Sequence, residues 1–172
     1  DARDPNPPAS SSDTRVPFFW SNRSTRAGDS TEALIGDSRG RFVPLRPQQG
    51  EGSNPVFWGP EFGFARTLSK AGHANFAIIK ASRGGGGNSF WLKGSRDDHM
   101  YHHVVTTVAD AIKALPKGRD FRIRAVLYVQ GESDNAEEAA RAGERIETLL
   151  KNLRADLPQA SEVRLLVGGI TA

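Results

Sequence analysis

Apolar residues follow two rhythms along this chain. Short apolar runs at residues 16–20, 76–81, 123–129 and 163–167 have the length and the β-branched and aromatic content of buried strands. Between them, apolar residues recur at helical spacing. Phe62, Ala65 and Leu68 share one face of a predicted helix, with Pro60 at its first position, Glu61 complementing its dipole and Gly72 ending it. Val104, Val105, Val108, Ile112 and Leu115 stripe a second helix, which Asp97 and Asp98 can cap and Pro116-Lys117-Gly118 stops. Ile146, Leu149, Leu150, Leu153 and Leu157 stripe a third, opened by Asp134. Strand and helix alternate from end to end, which predicts an α/β fold with a parallel sheet and helices on both faces.

The segments outside this rhythm are polar. Residues 1–14 are rich in Pro, Ser, Asp and Asn and read as irregular. Residues 21–55 read as a long polar loop, functional or decorated with short elements, in which only Phe42-Val43-Pro44-Leu45 is apolar. No internal repeat is visible, and 172 residues fit one domain, 1–172, with a sizeable core.

Composition narrows the chemistry. The net charge of +3 is small and the basic residues are scattered, so no nucleic-acid partner is expected. There is no cysteine, which excludes disulfides, thiol nucleophiles and thiolate metal sites. No apolar run approaches the roughly 20 residues that span a bilayer, so no membrane partner is expected. The compartment is left open.

Chemistry is expected beyond the carboxyl ends of strands, where open α/β sheets bind their ligands. The run at 125–129 stops at Gln130-Gly131-Glu132-Ser133-Asp134. There an amide could donate to a developing oxyanion, and Glu132 and Asp134 could orient neighbours or cap the next helix. The run at 76–81 leads into Arg83 and four glycines, Gly84 to Gly87, whose N–H groups could cradle an anion or oxyanion. No Gly-Lys-Ser/Thr follows, and no helix starts at the glycines, so neither nucleotide fingerprint is met and no cofactor is expected. Gly59-Pro60-Glu61 reads as helix entry. His99, His102 and His103 cluster at a helix start without the His-Glu-x-x-His pattern, which argues for exposed first-turn histidines over a metal site. Gly-Asp-Ser occurs twice, ending at Ser30 and Ser38, but only three apolar residues, Ala33-Leu34-Ile35, precede the second. They make a poor strand for a nucleophile turn.

Taken together, Gly59-Pro60-Glu61 with Phe64-Ala65-Arg66, then Ile78-Ile79-Lys80-Ala81-Ser82-Arg83-Gly84-Gly85, then Tyr128-Val129-Gln130-Gly131-Glu132-Ser133-Asp134 resemble the sialate O-acetylesterase-like branch of the SGNH hydrolases, which includes carbohydrate esterase family six. The resemblance runs from about residue 16 onward. It implies a flavodoxin-like α/β/α sandwich and a serine-type esterase that removes acetyl groups from carbohydrates. By similarity, Gly84-Gly85 and the Gln130 amide would hold the oxyanion, and Glu132 would be the acid partner of a histidine base. Asp134 and Trp91 are the candidate substrate contacts.

The family places its nucleophile in a Gly-Gln-Ser-Asn block ending the first strand and its base in a C-terminal Asp-Gly-x-His block. Neither block is present; Gly52-Ser53-Asn54 follows no strand, and all four histidines lie upstream of the third apolar run. The expectation is therefore a domain incomplete at both ends, with the nucleophile and base outside these residues and little activity of its own. The competing expectations are a non-catalytic carbohydrate-binding domain, with Trp20, Trp58 and Trp91 against sugar faces, and a phosphate site at the glycines. Secretion, or a bacterial periplasm, is suggested only by analogy with enzymes that act on polymers.

Overall fold

A computed structural model describes residues 13–25, 32–51, 54–94, 99–118 and 120–168. It is an α/β structure that divides into two compact units. The first comprises residues 1–82 and 107–115, the second residues 83–106 and 116–172.

The first unit is built around strand β1 (Pro17–Thr25). It pairs antiparallel with β2 (Glu32–Asp37) and β3 (Val43–Pro44), and also pairs with β6 (Ile78–Arg83). A separate antiparallel hairpin joins β4 (Gln48–Glu51) to β5 (Asn54–Phe57). Alternation along β1 sends Phe18 and Trp20 into the core with Val16, Val43 and Leu45. Helix α1 (Glu61–Lys70) closes that core with Phe62 and Ala65, and Trp58, Phe76 and Ile78 pack against it. The short turn Asp13–Arg15 is tied to α1 by a bidentate pair, Arg66 Nε to Asp13 Oδ1 at 3.0 Å and Nη2 to Oδ2 at 2.6 Å.

The second unit holds a parallel pair, β7 (Ala125–Tyr128) and β8 (Arg164–Val167), in the register Ala125 opposite Arg164 to Tyr128 opposite Val167. Helices α3 (Ala136–Ala140) and α4 (Ala142–Asp156) lie between these strands in sequence. Helix α4 buries Leu149 and Leu153; Leu157, Ala160 and Val163 beyond it are also buried. Helix α2 (His99–Lys113) contributes its first half to this unit, where Met100 and Tyr101 are fully buried. Tyr101 Oη donates to Asp156 Oδ2 at 2.9 Å, and Lys93 Nζ holds both oxygens of the same carboxylate.

Three expectations need correction. The sheets are mixed, not wholly parallel, because β1 meets β2 and β3 antiparallel. The polar stretch at 21–55 carries the short elements expected of it, the end of β1 and strands β2 to β5, built by backbone pairing that hydropathy does not report. The poor strand at 33–35 is the middle of β2, whose register against β1 slips between Asn22 and Arg23. The third helix is two, broken at Arg141 (φ −103°, ψ 3°), and its cap is Asn135, whose side chain accepts from the Glu138 N–H at 2.9 Å; Asp134 is used elsewhere. Asp97, Asp98, Ser30 and Gly52-Ser53 lie outside the described residues, as do most of residues 1–14.

Candidate active site

Both strand tips singled out in the sequence lie in the second unit, and they meet. Gln130, just beyond β7, donates from Nε2 to the Gly86 carbonyl at 2.9 Å. Gly86 needs its glycine: φ is +98°, and a Cβ would run into the Arg83 guanidinium and the Phe90 ring. That guanidinium donates to the Gly85 carbonyl and lies 4.5 Å over the Phe90 ring. Gly84 and Gly85 are exposed, whereas Gly87 and Asn88 are buried.

Beneath the glycines sits a polar cluster. Asn88, 2% exposed, opens the short 3-10 turn Asn88–Trp91. Its backbone N–H donates to Asp134 Oδ1 at 2.8 Å, and its Nδ2 donates to Asp134 Oδ2 at 2.8 Å and to the Glu138 carbonyl at 2.7 Å. Its Oδ1 accepts from Arg145 Nη1 at 2.6 Å. Glu138 Oε1 accepts from the Ser89 N–H at 3.4 Å and from Ser89 Oγ at 2.5 Å, and lies 3.7 Å from Arg145 Nη1. The Glu138 carboxylate occupies the space a side chain at Gly87 would need. Hydrogen bonds to charged groups contribute about 1.5–3 kcal/mol each, so this cluster is a strong anchor. Nearby Tyr128 is buried; burial pushes its phenol well above the ordinary tyrosine range, and the Asp134 charge pushes it further.

Of the residues expected at the site, Gln130 is bonded to Gly86, the residue that follows the expected pair Gly84-Gly85. Asp134 has both oxygens engaged by Asn88. Trp91, half-buried, packs edge-on against Tyr128 with centroids 6.2 Å apart. Glu132 is exposed in the turn before α3. Asn88, Glu138 and Arg145 escaped the sequence reading. One signal was there: Arg145 occupies the buried stripe that Leu149 and Leu153 continue at intervals of four, where a charge demands a partner.

The other candidates fare differently. Ser38 is 3% exposed, its Oγ accepts from the Trp20 N–H at 3.3 Å and its own N–H donates to the Trp20 carbonyl. It stitches the end of β2 to β1. His102 is exposed and His103 buried; among the described residues no cluster of His, Cys, Asp or Glu is arranged to hold a metal. In the first unit, Gly59-Pro60-Glu61 is helix entry with an added function. Glu61 Oε1 accepts from the Gly59 N–H at 3.0 Å, Gln48 Nε2 at 3.2 Å and Lys80 Nζ at 2.8 Å. Among the described residues no helix is long and apolar enough to cross a membrane.

Two strand ends, a glycine loop and a carboxamide bonded to a loop carbonyl thus lie together in the second unit. The chain belongs to the carbohydrate esterase, sialic acid-specific acetylesterase (SASA) family, whose model matches residues 44–172. A solved X-ray structure of an Arabidopsis thaliana protein is similar, with 25% sequence identity and a TM-score of 0.58 over 91% of this chain. The chain spans 59% of that structure's length. No curated protein matches it.

Proposed function

We propose that the protein is a serine-type O-acetylesterase acting on acetylated carbohydrates, on the flavodoxin-like α/β/α plan of the SGNH hydrolases. The observation that carries this reading is the 2.9 Å bond from Gln130 to Gly86, which joins the two strand ends. A carboxamide has two N–H protons. One holds the loop; the other, with the exposed amides of Gly84 and Gly85, is offered to the oxyanion.

In this reading a serine oxygen adds to the acetyl carbonyl, and its proton passes to a histidine base. The tetrahedral oxyanion rests on those donors, and the sugar alkoxide leaves with the proton. Water then releases acetate. Glu132, exposed in its turn, is the acid partner of the base. Trp91 offers part of its ring to a sugar face, and Asp134 acts on the substrate only through the loop it anchors. The attacking serine is not in the glycine cluster.

The test is acetate release by the full translated product from O-acetylated sialic acid, acetylated xylan and p-nitrophenyl acetate. Gln130→Ala is expected to lower kcat by about 10²–10³ while moving KM little. No acetate release from any substrate, or an unchanged kcat in Gln130→Ala, refutes the assignment.

A further inference from the structure

We infer that Asn88 is the positioning residue of the glycine loop, the latch that sets where the Gly84 and Gly85 amides point; the inference rests on the esterase reading for its catalytic consequence. Four hydrogen bonds converge on this one buried residue, from or to Asp134, Glu138 and Arg145. Residues on either side are gripped as well: Gln130 holds the Gly86 carbonyl, Glu138 fills the space beside Gly87 and bonds Ser89. Residues 86 to 89 are thus fastened to the turn after β7 and to α3 and α4, and the exposed pair Gly84-Gly85 leads directly into them. Amides worth having in an oxyanion site must be placed before the reaction, because reorganising them during it forfeits their benefit.

The chemistry of position 88 is specific. Its side chain must donate twice, to a carboxylate and a carbonyl, and accept once, from a guanidinium. Only a carboxamide of this length does all three. Aspartate there would have the shape but no donor, and would set two carboxylates against each other. Exchanging the partners, Asn88→Asp with Asp134→Asn, restores a donor facing an acceptor between 88 and 134 and keeps an acceptor for Arg145, while the Glu138 carbonyl still loses its donor.

The experiment compares wild type, Asn88→Asp and the Asn88→Asp/Asp134→Asn exchange in the full chain. Amide hydrogen exchange at residues 85–89, with β7 and β8 as internal reference, is read beside kcat and KM for p-nitrophenyl acetate. Asn88→Asp is expected to speed exchange at 85–89 at least tenfold with the reference amides within twofold, and to lower kcat at least tenfold with KM within threefold. The exchange variant is expected to recover part of both, the share carried by the 88–134 contact. Unchanged protection at 85–89 in Asn88→Asp overturns the latch. If Asn88→Asp loses the reference protection too, the partner exchange decides: protection of 85–89 regained supports the latch, and loss there alone overturns it. Faster exchange with an undiminished kcat overturns the positioning role. Faster exchange in a protein whose wild type releases no acetate overturns the esterase reading and leaves the latch standing.

Discussion

Replacing Lys80 with methionine isolates the cost of a buried charge. Lys80 Nζ lies 2.8 Å from Glu61 Oε1 and 2.7 Å from Gln48 Oε1, with side chains 14% exposed for the lysine and 5% for the glutamate. Its ammonium also sits 4.6 Å over the Phe57 ring. Burial pushes the Lys80 ammonium below the ordinary lysine range, outweighing the attraction of Glu61 that raises it. The pair is therefore costly to bury but costlier to break. Removing one partner of a buried pair typically costs about 3–5 kcal/mol. Glu61 would keep the Gly59 N–H and Gln48 Nε2 as donors, which places Lys80→Met near the lower end, about 3 kcal/mol. With a urea dependence of roughly 2 kcal/mol/M, the midpoint should fall by about 1.5 M. Lys80→Met/Glu61→Gln removes both charges and keeps the acceptor for Gly59, so it should lie within about 1 kcal/mol of wild type. Urea unfolding followed by tryptophan fluorescence and by circular dichroism measures both. A loss below about 0.5 kcal/mol for Lys80→Met, or a double variant no better than the single, refutes the reasoning.

Three further outcomes follow from the geometry. The Asp156 carboxyl is held below the usual range, first by its hydrogen bond from Lys93 and then by that from Tyr101. A depressed folded value means its stabilisation is present above the unfolded value, about 3.9, and is lost as pH falls through the folded one. Asp156→Asn should flatten that acid limb in thermal melts at stepped pH; an unaltered limb would contradict it. Gly87→Ala forces the Glu138 carboxylate out of its place and should cost about 1–3 kcal/mol, read as a lowered melting temperature. Ser38→Ala removes an acceptor from a buried Trp20 N–H and should cost about 1–3 kcal/mol while leaving acetate release intact; lost release with unchanged stability would make Ser38 the nucleophile.

Much of this architecture could be read from residue patterns, for a reason that also explains the misses. The apolar runs at 76–81, 123–129 and 163–167 became β6, β7 and β8 within a few residues, because burial of apolar surface selects them. Strands β4 and β5 carry residues such as Gln48, Gln49 and Glu51, held by backbone pairing that leaves no apolar signature. The break at Arg141 was hidden because the apolar stripe begins only at Ile146. At the site, the glycines and Gln130 stood out because a strand end and unusual backbone freedom show in the residue types themselves. The Asn88 cluster did not, because its partners lie 46 to 57 positions away and only folding reveals the match.

The Glu138 carboxylate beside Gly87 ties the history of one position to the other. While a long acid stays at 138, a side chain gained at 87 displaces that carboxylate from Ser89 and Arg145, so drift at 87 carries a cost. Relatives bearing alanine or serine at the equivalent of 87 should carry a shorter residue at the equivalent of 138, the two changes appearing as a pair.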